Sequence, residues 1–182
     1  MKKINAHDYA EHIIKELPRG ILLNTSADGK DNTMTIGWGL IGIEWERPMF
    51  LMAVRKSRYT HEFLQKNKEF TVSIPLPEAE GGIADAKVDE IMGYCGSQSG
   101  RDGDKFDVLG LTKVPGQSVT TPAIKELPLT IECKIVFEAE QVVSGLVPEI
   151  ADAMYPEGGT AGPGAAPHIC YFGEIVDAYI LD

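Results

Sequence analysis

An antiparallel β-barrel with short helices on its rim is the fold this sequence predicts, and three observations carry the prediction. Apolar runs of strand length recur along the chain. Turn-forming residues join them instead of long helical crossovers, and an Asp28-Gly29 step stands between two of them. Asp-Gly between such runs is a strong hairpin signal, and hairpin connections build antiparallel sheets.

The elements follow in order. Residues 4–17 read as a short helix, with Ile13, Ile14 and Leu17 on one face and Pro18 as its stop. Residues 20–26 read as a strand, the Asp28-Gly29 hairpin follows, and the chain returns over residues 32–44. Residues 49–54 are almost wholly apolar, as in a strand covered on both faces. Residues 61–66 read as a short helix burying Phe63 and Leu64, and residues 70–74 alternate as a half-buried strand ended by Pro75 and Pro77. A Gly-dense middle, 78–111, reads as either a functional loop system or a mobile stretch, with one short helix over 83–92. Strands are expected again over 129–137, 141–147 and 169–181, with a long loop at 155–167.

Charge narrows the function classes. Seventeen Lys and Arg against 27 Asp and Glu give a formal charge of −10, which disfavours nucleic acid and anionic membrane surfaces as partners. No run approaches the roughly 18 apolar residues of a membrane-spanning helix, and residues 1–8 lack the apolar stretch of a signal peptide. Three cysteines are too few for a disulfide scaffold. A cytoplasmic protein of one domain, residues 1–182, is expected.

Some motifs fail on context. Gly37-x-Gly39-x-x-Gly42 spells a dinucleotide turn, but no helix follows to present its N-terminus to a pyrophosphate. The four histidines show neither an i, i+4 pair nor a CxxC partner, so no zinc spacing exists. Cys95, in the Gly-rich region, reads as an inert thiol.

Others hold. Arg55-Lys56-Ser57-Arg58-Tyr59-Thr60 gathers three cations and two hydroxyls where a strand ends and a helix starts, which suits an anion such as phosphate. Its plainer reading is a solvated basic rim with Ser57 as an N-cap. Ser97 to Phe106 carries Gly100 and Gly103 beside the donors Arg101 and Lys105, although its residues alone favour an Asp/Gly-rich turn closed by a local Asp–Lys pair. Thr25 and Asn32-Thr33-Met34-Thr35 face each other across the hairpin. There the polar side chains of a half-buried strand either face solvent or need partners, and a polar heterocycle lying on the strand would use them.

Together these pieces resemble the FMN-binding split-barrel family, in its flavin reductase-like and flavoredoxin branch. The likeness runs from about residue 17 to 180 through Pro18-Arg19-Gly20, Asn32-x-Met34-Thr35-x-x-Trp38, Arg47-Pro48, the 55–60 stretch, Ser99-Gly100-Arg101-Asp102-x-Asp104-Lys105-Phe106, Ile131-Glu132-Cys133-Lys134 and Gly173-Glu174-Ile175. It departs at 155–167, where only His168 remains of a short Gly-Asp-His turn, and at 78–93.

The resemblance implies a mainly β, six-stranded Greek-key split barrel, a homodimer, and FMN near the dimer interface. Thr25, Asn32, Met34 and Thr35 would lie along the isoalloxazine and ribityl chain. Arg55, Lys56, Ser57 and Thr60 would hold the phosphate, and Lys105 would approach from the Gly-rich segment. The implied function is electron transfer from NAD(P)H through FMN to an acceptor, with no catalytic side chain because the flavin does the chemistry. Two alternatives stand beside it: a flavoredoxin-like carrier that serves a redox protein with tightly held FMN, and a flavin-binding protein without turnover.

Overall fold

The computed structural model describes residues 1–156 and 167–182. The chain opens with β1 (Lys2–Lys3), a single 3-10 turn (Ala6–Tyr9) and α1 (Ala10–Glu16). The hairpin β2 (Ile21–Ala27) and β3 (Lys30–Ile36) follows, then β4 (Gly39–Glu44), β5 (Arg47–Arg55), α2 (Tyr59–Lys66) and β6 (Glu69–Ile74). Helices α3 (Asp85–Ser97) and α4 (Lys105–Leu109) and the short pair β7 (Lys113–Val114) and β8 (Ala123–Ile124) fill the middle. The long strands β9 (Leu129–Glu140) and β10 (His168–Ile180) bracket α5 (Pro148–Met154).

All pairings are antiparallel, in the order β3-β2-β6-β9-β10-β5-β4, with β1 added to β10. Its two edge strands are consecutive in sequence. The chain leaves one sheet edge as β3, bends at Gly37-Trp38, and joins the other edge as β4. That bend curls the sheet around the core and leaves it open between β3 and β4: a split barrel. Counting β3 and β4 as one bent run gives the six strands expected.

The core obeys the pleat. Leu23, Phe50, Met52, Val54, Phe70, Val72, Ile131 and Tyr171 fill the barrel, and α1 closes one end with Ile13 and Leu17. A second apolar cluster lies outside the barrel, where α3 and α4 bring Val88, Ile91, Cys95 and Phe106 against Leu22 of β2. Asp28 and Gly29 have φ of 52° and 74°, the conformation a two-residue hairpin requires.

Four expectations are corrected. Helix α3 runs through Gly93 to Ser97, so Cys95 is on a buried helix face and not in a loop. Residues 141–147 are no strand; they hold a 3-10 turn (Val143–Gly145), and Pro148 starts α5. Residues 32–44 form two strands instead of one. On β5 the outer face is only partly covered: Met49 is buried there, but Leu51 and Ala53 are half-exposed. Most of the expected loop at 155–167 lies outside the described residues.

Candidate functional site

β3 is an edge strand, and its register decides what it offers. The tight turn makes Ala27–Lys30, Thr25–Asn32 and Leu23–Met34 the hydrogen-bonded pairs. The backbone groups of Asp31, Thr33 and Thr35 therefore point out of the sheet. Lys105 takes one of them: its Nζ donates to Thr33 O at 2.9 Å and to Cys95 O at 3.0 Å. Thr35 Oγ1 donates to Met92 O at 2.8 Å, which fixes α3 against the same edge.

Three hollows follow this edge. The middle one, about 200 Å³, lies between the start of α2 (Ser57, Arg58, Thr60), the 96–101 strap, Asn32, Met34 and Lys105. A second, about 260 Å³, opens at the split of the barrel beside Met34, Thr35, Trp38, Arg55, Arg58 and His168. A third, about 400 Å³, lies toward the hairpin.

In the middle hollow Asn32 is buried and donates its side-chain amide to Thr60 Oγ1 at 2.9 Å, tying β3 to α2. The strap passes directly over it. A Cβ on Gly100 would sit 2.2 Å from Asn32 Oδ1, so only glycine fits there. Arg101 anchors the strap to α2 through an ion pair with Glu62, a bond to Ser57 O at 3.4 Å, and its guanidinium 5.0 Å over the Tyr59 ring. Arg58, not Ser57, is the N-cap of α2, and no side chain caps the helix. The plain N-cap reading of Ser57 therefore fails, and the first turn of α2 has no side-chain cap.

Lys105 is the unusual group. It is 5% exposed, yet both of its hydrogen-bond acceptors are neutral carbonyls, and no carboxylate among the described residues is bonded to it. Burial lowers its pKa, the Cys95 thiol opposes that shift, and the Arg58 guanidinium adds to it. A buried ammonium without a counter-anion is costly, and an anionic ligand in the hollow would offset that cost.

At the split, Trp38 lies against His168, ring centroids 4.9 Å apart. Burial first, then Arg55 and Arg58, push the His168 pKa down to about 4, so its imidazole is neutral near pH 7. Its Nδ1 lies 2.6 Å from Tyr155 Oη, which donates to Gln141 Oε1 at 2.6 Å.

The expected residues divide accordingly. Asn32, Met34, Ser57, Thr60 and Lys105 converge on the middle hollow, and Thr35 and Arg55 on the split. Thr25 is buried behind Asn32, its Oγ1 3.4 Å from Asn32 O, and supports the strand from within. Lys56 turns away and pairs with Glu140 at 2.6 Å. Arg55 bonds Met154 O at 3.2 Å and covers the Tyr155 ring. Reasoning from sequence omitted Arg58, Trp38, His168 and the strap residues Ser99 to Arg101 as site residues, although each stood inside or next to a quoted motif. Cys95 is buried and its thiol is pushed up to about 11 by burial, which fits an inert role. Gly37 to Gly42 leads into β4 and the β5 hairpin, with no helix to complete a dinucleotide turn.

The family model described as flavin reductase like domain matches residues 14–182. The chain belongs to this family. Similar solved structures include the flavoredoxin of Desulfovibrio vulgaris (Miyazaki F), 28% identical with a TM-score of 0.62, covering 88% of this chain and 68% of that one. A flavoredoxin from Methanosarcina acetivorans is 27% identical with a TM-score of 0.63, covering 90% and 68%. An uncharacterized protein of Archaeoglobus fulgidus is 31% identical over 123 residues, 68% of this chain and 64% of that protein. The matched stretch spans 50–64% of the curated relatives' own length. Among the described residues no helix is long and apolar enough to cross a membrane, and no cluster of His, Cys, Asp or Glu could hold a metal ion.

Proposed function

We propose that this flavin reductase-like domain binds FMN along β3 and acts as an oxidoreductase that takes electrons from NAD(P)H and passes them to an acceptor. The carrying observation is Lys105, a buried cation with no counter-anion among the described residues, beside a hollow lined by Ser57, Arg58 and Thr60. Those donors suit a phosphate, which would complete the charge balance of Lys105. Met34, Thr35 and Trp38, further along the strand, offer the flat half-apolar surface an isoalloxazine needs, and the free edge of β3 offers backbone donors and acceptors.

Bound FMN would supply the hydride and electron chemistry. The chain's residues bind, orient and shield. Lys105 and Arg58 balance charge, Asn32 and the Gly100 strap fix the ligand's path, and Trp38 with neutral His168 covers the split without offering a proton at pH 7. No side-chain acid or base is assigned, because hydride transfer to a flavin requires none.

Stopped-flow mixing of the FMN-loaded protein with NADH and NADPH tests the reading: rapid bleaching of the flavin absorbance is expected. The likeness to two flavoredoxins favours a second reading, an electron carrier, and bleaching only by a reduced partner protein would select it. Bleaching by neither would leave a flavin-binding protein without turnover.

The reading includes a homodimer. On the outer face, Leu40, Leu51, Phe172 and Phe137 stand in one register row across β4, β5, β10 and β9, and Trp45 packs on the two phenylalanines. Leu40 is 67% exposed and Phe137 48%, an apolar row a second copy would cover. Light scattering near twice the 19.8 kDa chain mass is expected, and a monomeric mass with FMN present would refute the dimer.

A further inference from the structure

The strap belongs to the connection between α3 and α4, residues 98–104, and its two ends are fixed while its middle is not. Lys105 staples the base, bonding Cys95 O near the end of α3 at 3.0 Å from the start of α4. Between those ends no residue is buried. The backbone bonds of this segment stay local: Asp102 N donates to Ser99 O at 3.1 Å, and Gln98 N to Tyr94 O at 2.9 Å. Among the described residues, every hydrogen bond from the strap to an element other than its flanking helices comes from one side chain, Arg101. That guanidinium pairs with Glu62 of α2, donates to Ser57 O and covers the Tyr59 ring. The two partners of the ion pair are 44% and 51% exposed, and exposed pairs are weak.

A segment held so lightly still makes a tight contact with what it covers. Gly100 rests on Asn32, and a Cβ there would also stand 3.2 Å from the Tyr59 ring. This contact divides the middle hollow from the hairpin-side one, although both are lined by Asn32, Tyr59, Gly100, Arg101 and Lys105. The floor is firm, since Asn32 and Thr60 are buried and bonded to each other. With the strap down, the middle hollow is about 200 Å³, under the roughly 300–1,000 Å³ of small-molecule pockets. A phosphate carried on a ribityl chain needs more room than that, and the strap is the wall that can yield. We propose that residues 98–104 form a lid, latched by Arg101 on Glu62, and that this latch sets how long FMN stays bound. The proposal rests on the flavin reading, within which it decides between a resident and an exchanging flavin.

Stopped-flow flavin fluorescence quenching tests it, with association read from the slope of the observed rate against flavin concentration and release from the intercept. Glu62→Gln should raise both rates about threefold, and Arg101→Ala about tenfold because the ring contact goes too. An opened lid speeds entry and exit alike, so the dissociation constants should move less than about threefold. Riboflavin, which carries no phosphate, should respond by the same factors as FMN. Gly100→Ala, whose methyl would meet Asn32, should speed release of both flavins without touching a charge. Trypsin cleavage after Arg101 reads the lid without flavin: Glu62→Gln should be cut there faster than wild type. Unchanged rates in both latch variants, an acceleration confined to FMN, or equal cleavage of Glu62→Gln and wild type would overturn the lid. If wild type quenches neither flavin, the flavin reading fails instead, and cleavage after Arg101 still decides the lid.

Discussion

Two buried charges in this molecule are treated in opposite ways. Glu132, on β9, is fully buried, and its carboxylate accepts from Gln117 N at 2.7 Å, Ser118 N at 2.6 Å and Tyr179 Oη at 2.6 Å. Its anion is satisfied from within, and the bonds pin the 115–121 loop to the barrel. Lys105 is almost as buried but, among the described residues, meets only two neutral carbonyls, and it borders two hollows. A buried charge closed off by the protein is structural; one left electrically open at a cavity wall marks where a ligand of opposite charge belongs.

The contrast can be broken at either end. Glu132→Ala strands two backbone amides and the buried Tyr179 hydroxyl, and should cost about 3 kcal/mol of stability by denaturant unfolding. FMN affinity in the folded variant should stay within threefold. A stability loss under about 1 kcal/mol would mean the clamp is not structural.

His168 gives the next effect, through pH. Its folded pKa of about 4 lies below the ordinary 6.5, so the unfolded chain binds the extra proton first. The stability tied to its neutral state is complete above pH 6.5 and is lost as pH falls toward 4, a change on the order of 2–3 kcal/mol. Urea midpoints at pH 7 and pH 4.5 should therefore fall further in wild type than in His168→Gln, and parallel falls would refute the assignment.

Lys105→Met probes the open charge without ligand. It removes an uncompensated buried cation and two hydrogen bonds together, so the unliganded protein should stay within about 1 kcal/mol of wild type. A loss comparable to that of Glu132→Ala would make Lys105 a structural residue as well. Smallest of all, Cys95→Ala should change FMN affinity less than threefold, since only the backbone carbonyl of Cys95 meets Lys105. A hundredfold loss would revive a role for the thiol.

The contrast also explains what was legible in the sequence. Strand alternation, the Asp28-Gly29 turn and the Asn32-to-Thr35 run are local signals, and they located the barrel and the strand that carries the site. The continuation of α3 was hidden because Gly93 and Gly96 weaken helix propensity, while burial of Ile91, Met92 and Cys95 against the sheet overrides it. Residues 141–147 misled for the reverse reason: Val142, Val143, Leu146 and Val147 favour strands, but no neighbouring strand pairs with them. In the 55–60 stretch composition was visible and direction was not. Lys56 leaves for Glu140, 84 residues away, while Arg58 takes both hollows. The open charge of Lys105 was beyond sequence reasoning altogether, because its acceptors are backbone carbonyls that only the fold brings together.

The central claim is that the FMN phosphate is the counter-anion Lys105 lacks, and one comparison tests it directly. FMN and riboflavin are titrated into wild type and Lys105→Met by flavin fluorescence quenching. Two or three charge-assisted hydrogen bonds at about 1.5–3 kcal/mol each predict that wild type prefers FMN by about a hundredfold or more, and that the preference collapses in Lys105→Met while riboflavin affinity holds. Equal affinities for the two flavins in wild type, or a preference that survives the substitution intact, would contradict the account.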